Sequence, residues 1–199
     1  SGTSSKAAVP SLIDSTLDKE QFEYEIKMTE RPGHASELAA EARDNHADIV
    51  VAVGGDGTVN EVARSLVHSD SALGILPCGS GNGLARHLLL PMNLKKSIEI
   101  INACKIHDLD YGVINEYPFF CTCGMGFDAF VSMKFAESGK RGPISYAENI
   151  LREGLKYEPE TYTLEDETGT KQYKAFLISC ANASQYGNYA YIAPQASMS

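Results

Sequence analysis

Asp56 is the residue of this chain whose surroundings most resemble a place for chemistry. It stands in the run Val50-Val51-Ala52-Val53-Gly54-Gly55-Asp56-Gly57-Thr58-Val59-Asn60-Glu61-Val62, one carboxylate among three glycines. An apolar stretch of that kind reads as a buried strand, and the residues after it as an amphipathic helix. A glycine turn between the two exposes backbone N–H groups that can face an anion, and the helix adds the positive end of its dipole. A site built only to attract phosphate avoids negative charge. A carboxylate in such a turn therefore points to a metal ion or to a proton that must be removed, and so to phosphoryl transfer. Thr58 is placed to cap the helix. The competing reading is a plain tight turn; position after a strand and before a helix favours the anion site.

A second loop has the same character. Gly79, Gly81 and Gly83 alternate with Cys78, Ser80 and Asn82 after Pro77. Ser80 can donate to a phosphate or to a substrate hydroxyl. Alternatively the loop is a tight connection in which Asn82 caps the helix that follows. Thr29, Gly33 and His34 occupy a third point between an alternating segment and a helix. His34 is a candidate base set against a helix cap or a surface residue. Arg86 and His87, one turn beyond the second loop, face either phosphate or solvent.

These residues need a scaffold. Residues 4–17 read as a helix with Pro10 in its middle. Phe22, Tyr24, Ile26 and Met28 alternate with charged residues and predict a half-buried strand. Helices are expected over His34–Asn45, Thr58–Val67, Gly83–Leu89 and Leu94–Ala103, and buried strands over Asp48–Val53 and Ala72–Leu76. This rhythm implies an α/β layer of parallel strands. Both glycine loops would then lie at the carboxyl edge of the sheet, where ligands bind. Beyond residues 103–106 the pattern changes to short strand-like runs at Ile106–Ile114, Phe119–Cys123, Thr161–Glu165 and Tyr173–Ala181, with a hairpin turn at Glu167–Thr170. Helical stretches interrupt them at Asp128–Ala136 and Ile144–Tyr157. The expected organisation is an α/β nucleotide-binding domain over residues 1–104 and a β-rich lobe over residues 105–199. Neither end reads as a natural boundary, so truncation at both ends is expected.

The bulk composition narrows the function. The 199 residues are 43% hydrophobic and 22% charged, the profile of a globular protein with a core. A formal net charge of −9 argues against a nucleic-acid partner. It also argues against general electrostatic attachment to anionic membrane, leaving a local patch such as Lys134, Lys140 and Arg141 against Glu137. The five cysteines match no zinc spacing and read as reduced, small apolar residues. There is no secretory signal, and no apolar run approaches the ~18 residues of a membrane span. A cytoplasmic protein is expected, meeting lipid only at a surface.

At this point a resemblance enters. GGDGTVNEV at 54–62 followed by PCGSGNGLAR at 77–86 resembles the catalytic domain of the diacylglycerol kinase and sphingosine kinase superfamily, nearest its soluble bacterial lipid kinases. Ser1-Gly2 is similar to the end of the family's Asn-Pro-x-Ser-Gly loop, and Thr29 to Ala35 to its Thr-x-x-x-Gly-x-Ala segment. Gly124-x-Gly126-Phe127-Asp128, Asn182 and Ile192-Ala193-Pro194-x-Ala196 resemble later motifs in the same order. The resemblance implies an α/β domain like half a phosphofructokinase, then a β-rich lobe. It implies ATP with Mg²⁺ and transfer of the γ-phosphoryl group to a lipid hydroxyl, with diacylglycerol the favoured acceptor. Gly54, Gly55, Asp56, Gly57, Thr58, Val59 and Asn60 would wrap the phosphates. Thr29, Ser80 and Gly2 would line the nucleotide site. Asp56 would act on the metal or the acceptor hydroxyl; no metal ligands are assigned.

There are departures. Ser80 replaces the threonine of many bacterial members, as on the sphingosine kinase side. A preceding strand, a structural Mg²⁺ loop and a downstream acidic base are missing, so a folded but inactive piece is compatible with the sequence. Three alternatives stand beside the leading reading: a sphingosine-type kinase, NAD kinase, and a nucleotide-binding regulatory module without turnover. NAD kinase shares the GGDGT turn, but Asn60-Glu61 and PCGSGN depart from its pattern. A lipid at a membrane surface is the expected partner, and homodimerisation stays open.

Overall fold

A computed structural model of the chain describes residues 6–127, 129, 130, 133, 154 and 157–198. The chain divides into two compact units, Ser1–Cys121 with Ala181–Ser199, and Thr122–Cys180. Gly2, the basic patch at 134–141 and most of the two helical stretches expected at 128–136 and 144–157 lie outside the described residues.

In the first unit a single turn at Lys6–Ala8 leads into α1 (Val9–Thr16). Pro10 falls in the first turn of α1, not in its middle. A backbone N–H in the first turn has no intrahelical partner, so proline's lack of one costs nothing there. The alternating segment from Phe22 to Met28 belongs to no strand, which corrects the expectation from its pattern. Alternation orients side chains; it supplies no neighbouring backbone to pair with. Tyr24, Ile26 and Met28 remain 41%, 41% and 69% exposed. A cavity of about 430 Å³ separates this segment from the sheet, lined by residues that include Val9, Ile26, Ala39 and Val51.

Helix α2 (His34–Asp44) precedes β1 (Ile49–Gly54), α3 (Asp56–Leu66) and β2 (Ala72–Pro77). Strands β1 and β2 run parallel, with Ile49 opposite Ala72 and Gly54 opposite Pro77. Helix α3 buries Val59, Val62, Ala63 and Leu66, the i, i+3, i+4, i+7 stripe of a core-facing helix. These pack with Ala35 and Ala39 of α2, Ala52 of β1 and Ile75 of β2. A five-residue α4 (Gly83–His87) ends before the expected Leu89, which sits at positive φ and is 89% exposed. In α5 (Leu94–Asn102) the Asn93 side chain caps the helix by accepting from the Lys96 N–H at 3.1 Å.

A small hairpin, β3 (Gly112–Ile114) with β4 (Tyr117–Phe119), follows in the same unit. The C-terminal residues return to this unit. Asn182 and Ala183 both donate their N–H to the Cys121 carbonyl at 2.9 Å, and Ala183 and Met198 are buried.

The second unit is strand-rich. β5 (Thr122–Gly126) pairs with β8 (Leu177–Ala181), and β6 (Glu160–Asp166) pairs antiparallel with β7 (Gly169–Ala175). The β6–β7 loop is Glu167-Thr168, with Asp166 opposite Gly169 at φ +121°. Neither loop residue has a positive φ; it falls instead on Gly169, the residue after the loop, where glycine adopts it without strain. The run read as one strand over Tyr173–Ala181 is two, broken at Phe176. The Phe176 carbonyl accepts the Phe127 N–H at 3.0 Å, and the two rings lie 4.6 Å apart.

Candidate functional site

Because β1 and β2 are adjacent and parallel, both glycine loops leave the sheet at its carboxyl edge. The Cys78 N–H continues the ladder one residue past β2, donating to the Gly54 carbonyl at 2.7 Å. The loops then touch backbone to backbone. A Cβ on Gly55 would sit 3.0 Å from the Gly79 Cα, and a Cβ on Gly79 would overlap the Gly55 Cα. Gly55 has φ −95°, which any residue adopts, so close approach is what requires glycine there.

Asp56 is the first residue of α3, and its carboxylate spans the gap between the loops. Oδ1 accepts the Gly83 N–H at 2.6 Å and Oδ2 accepts the Asn82 N–H at 2.8 Å. It thus satisfies two donors at the start of α4, a helix whose own cap residue supplies no side-chain bond. On the tight-connection alternative Asn82 caps α4; it does hold the cap position, but in the left-handed region at φ 53° and with its side chain turned backwards, making no cap bond. Its Oδ1 accepts the Gly79 N–H at 2.9 Å and its Nδ2 donates to the Gly79 carbonyl at 2.8 Å. Thr58 is not a cap. Gly55 holds that position, so Thr58 lies inside the first turn of α3.

No side chain caps α3. Gly57 is exposed in its first turn, with open space where a Cβ would stand. An uncapped helix start with an open approach suits an anion. Val59 faces inward, only 6% exposed, and its N–H donates to the Gly55 carbonyl at 3.0 Å. Asn60 is half-buried, Ser80 is exposed on the second loop, and Thr29 is exposed just after the alternating segment. Thr29, Val53 and Thr58 line the same cavity. The structure thus gathers the 54–60 loop with Ser80's loop, while Thr29 shares with Thr58 a cavity that Ser80's loop does not line.

Arg86 and His87 are half-buried and engage groups of the protein itself. The Arg86 Nε–H donates to the Gly81 carbonyl at 3.0 Å, and its guanidinium lies 4.6 Å over the Tyr189 ring. His87 Nδ1 accepts the Ser184 N–H at 3.1 Å and lies 3.0 Å from Ser184 Oγ. The second loop is thereby held from the C-terminal side as well. His34 acts locally, its Nδ1 accepting the Glu30 N–H at 3.1 Å.

Two contributors escaped the sequence reading. Glu61 accepts the N–H of Gly33 at 3.1 Å and of Ala35 at 3.2 Å, tying α3 to the start of α2. Cys121 donates its Sγ–H to the Gln185 carbonyl at 3.1 Å. Burial, with the Asp56 charge second, pushes its thiol up to about 11. Neither had a local signal, since each acts across tens of residues of sequence.

Comparison with known proteins identifies the arrangement. Residues 1–114 match the diacylglycerol kinase catalytic domain, and residues 121–199 match the YegS C-terminal NAD kinase beta sandwich-like domain. The chain belongs to the diacylglycerol kinase catalytic domain family. The protein named "Probable lipid kinase YegS" from Escherichia fergusonii is 29% identical over 187 residues, covering 90% of this chain and 62% of its own. The one named "Probable lipid kinase YegS-like" from Klebsiella pneumoniae is 29% identical over 185 residues, with the same coverage of 90% and 62%. The chain thus spans about three fifths of these relatives' length. A crystal structure of a diacylglycerol kinase from Bacillus anthracis superposes with TM-score 0.74 at 21% identity, covering 99% of this chain and 67% of that one. That likeness is one of fold. In this family's terms, the chain carries an N-terminal parallel-sheet α/β domain and a β-rich C-terminal domain. Among the described residues no helix is long and apolar enough to cross a membrane, and no group of three or more His, Cys, Asp or Glu side chains could hold a metal ion.

Proposed function

We propose that this chain is the catalytic region of an ATP-dependent lipid kinase that transfers the γ-phosphoryl group to the free hydroxyl of a neutral lipid, diacylglycerol first among candidates. The observation that carries the reading is the pair of glycine loops at the ends of β1 and β2, in backbone contact and bridged by Asp56. The uncapped start of α3 receives phosphate through backbone N–H groups, with Gly57 leaving the approach open. Ser80 offers a hydroxyl from the adjoining loop. Mg²⁺ is commonly held by one or two carboxylates together with substrate phosphates, and Asp56 is the carboxylate this loop can offer. The bound ion would neutralise charge developing on the phosphates. Lipid as acceptor rests on family membership and on the names of the relatives. The protein would work in the cytoplasm, peripheral to a membrane.

One observation favours a second reading. Both Asp56 oxygens already accept backbone N–H groups, which is the arrangement of a brace. A nucleotide-binding module without turnover would have the same loops. The test uses the longest natural form of the chain with labelled ATP and Mg²⁺. Diacylglycerol, monoacylglycerol and sphingosine are offered in mixed micelles, with NAD in parallel. Preferred labelling of diacylglycerol is expected. Labelling of sphingosine moves the acceptor class, and labelling of NAD overturns the lipid assignment. ATP binding without acceptor-dependent ADP release favours the module.

A further inference from the structure

Glu61 lies one residue beyond the 54–60 loop and does not face it. Its carboxylate reaches the start of α2, with Oε1 accepting from the Gly33 N–H at 3.1 Å and Oε2 from the Ala35 N–H at 3.2 Å. The cap residue of α2 is Gly33, at φ 80°, and has no side chain with which to do this. The Glu61 backbone carbonyl also accepts the Ser36 hydroxyl at 2.9 Å, and the Ser65 hydroxyl closes the contact onto the Ser36 carbonyl at 2.9 Å. On the other side of Gly33, His34 accepts the Glu30 N–H at 3.1 Å, next to Thr29. A continuous set of hydrogen bonds therefore runs from α3 through Glu61, the turn at Gly33 and His34 to the backbone beside Thr29. That threonine is exposed and lies in a segment that belongs to no strand.

We propose that Glu61 is a positioning residue for the nucleotide site: it fixes the 29–35 loop against α3 and so sets Thr29 relative to the phosphate-facing turn. This rests on the nucleotide reading given under Proposed function. An anionic side chain at the positive end of α2 strengthens the link, since charge-assisted bonds to a helix start are the stronger kind. No proton or phosphate passes through Glu61; it acts through Thr29.

The experiment compares ATP binding by calorimetry and melting temperature for the parent chain, Glu61→Gln, Glu61→Ala, Thr29→Ala and the double variant Thr29→Ala with Glu61→Ala. Glu61→Ala is expected to weaken ATP binding about tenfold, the scale of one lost charge-assisted bond. Glu61→Gln keeps one carbonyl acceptor and is expected to fall between Glu61→Ala and the parent. If Thr29 carries the effect, the double variant binds no more weakly than the worse single variant, a non-additivity that independent sites do not show. Should Glu61→Ala not fold, Glu61→Gln against Thr29→Ala provides the same cycle. A lower melting temperature with unchanged ATP affinity would make Glu61 a plain helix cap and overturn the proposal. Additive losses would overturn the route through Thr29. A parent chain that binds no ATP defeats the nucleotide reading itself, a result distinct from either.

Discussion

Replacing Asp56 by asparagine keeps the shape of the side chain and removes its charge. The structure allows the consequence to be worked out at both oxygens. In the parent, Oδ1 and Oδ2 each accept one backbone N–H, from Gly83 at 2.6 Å and Asn82 at 2.8 Å. Asparagine has one carbonyl oxygen and one NH₂, so one bond survives as a neutral one and the other becomes a donor facing a donor. A hydrogen bond to a charged group contributes about 1.5–3 kcal/mol. Asp56 is exposed, which places it at the low end of that range. The net loss is expected to be about 2 kcal/mol, confined largely to the contact between the glycine loops. For a chain of this size that lowers Tm by roughly 4–8 °C. Phosphoryl transfer in the longest natural form is expected to fall by at least ~100-fold, the lower end of a general acid–base contribution. Two measurements separate the roles: thermal unfolding of the purified variant, and transfer from labelled ATP well below its lowered Tm. An unchanged Tm refutes the brace argued from the two bonds. Activity within a few-fold of the parent refutes a part for Asp56 in the chemistry.

Gly55→Val places a branched side chain against Gly79, where even a Cβ would lie 3.0 Å from the neighbouring Cα. Its φ of −95° is acceptable to valine, so the damage comes from loop separation, about 1–3 kcal/mol as an overpacking cost. ATP affinity by calorimetry should fall by more than that stability loss predicts, since the separated loop also misplaces the N–H groups at the α3 start; unchanged affinity would sink the phosphate-cradle reading. Cys121 should differ between the folded and the unfolded chain in the pH dependence of its alkylation. The Cys121 thiol is pushed up to about 11, mainly by burial, and unfolding removes that burial. A raised folded-state value keeps the proton on, so thiolate is scarce at neutral pH and grows tenfold per unit until pH reaches about 11. Iodoacetamide labelling followed by peptide mass spectrometry should show Cys121 still accelerating between pH 9 and 10.5 in the folded chain, after the same cysteine in the unfolded chain has levelled off. Parallel profiles would refute that environment. The sign for stability follows: the unfolded thiol ionises first as pH rises, so the folded state loses stability between pH 9 and about 11.

Much of the scaffold was legible because its signals are local. The apolar run Val50–Val53 broken by glycines can hardly be other than a buried strand leaving the sheet. The stripe Val59, Val62, Ala63, Leu66 carries helical periodicity within a single element, and the Glu167-Thr168 turn is followed by a glycine that takes a positive φ. These features depend on side chains a few residues apart, so neighbouring residue types are enough to specify them. The site's wiring was not legible. Nothing near Asp56 signals that its oxygens meet the N–H groups of Asn82 and Gly83, or that Glu61 reaches back to Gly33 and Ala35. Thr58 and Asn82 have the types of helix caps, yet Gly55 takes one cap position and Asn82 turns its amide onto Gly79. The Phe22–Met28 segment has a strand's alternation without a strand's partner. Local pattern determines which elements form and which way their side chains point. Which polar group each side chain satisfies is decided only when parallel strands bring two loops to one edge, because hydrogen-bond partners are chosen by proximity in space.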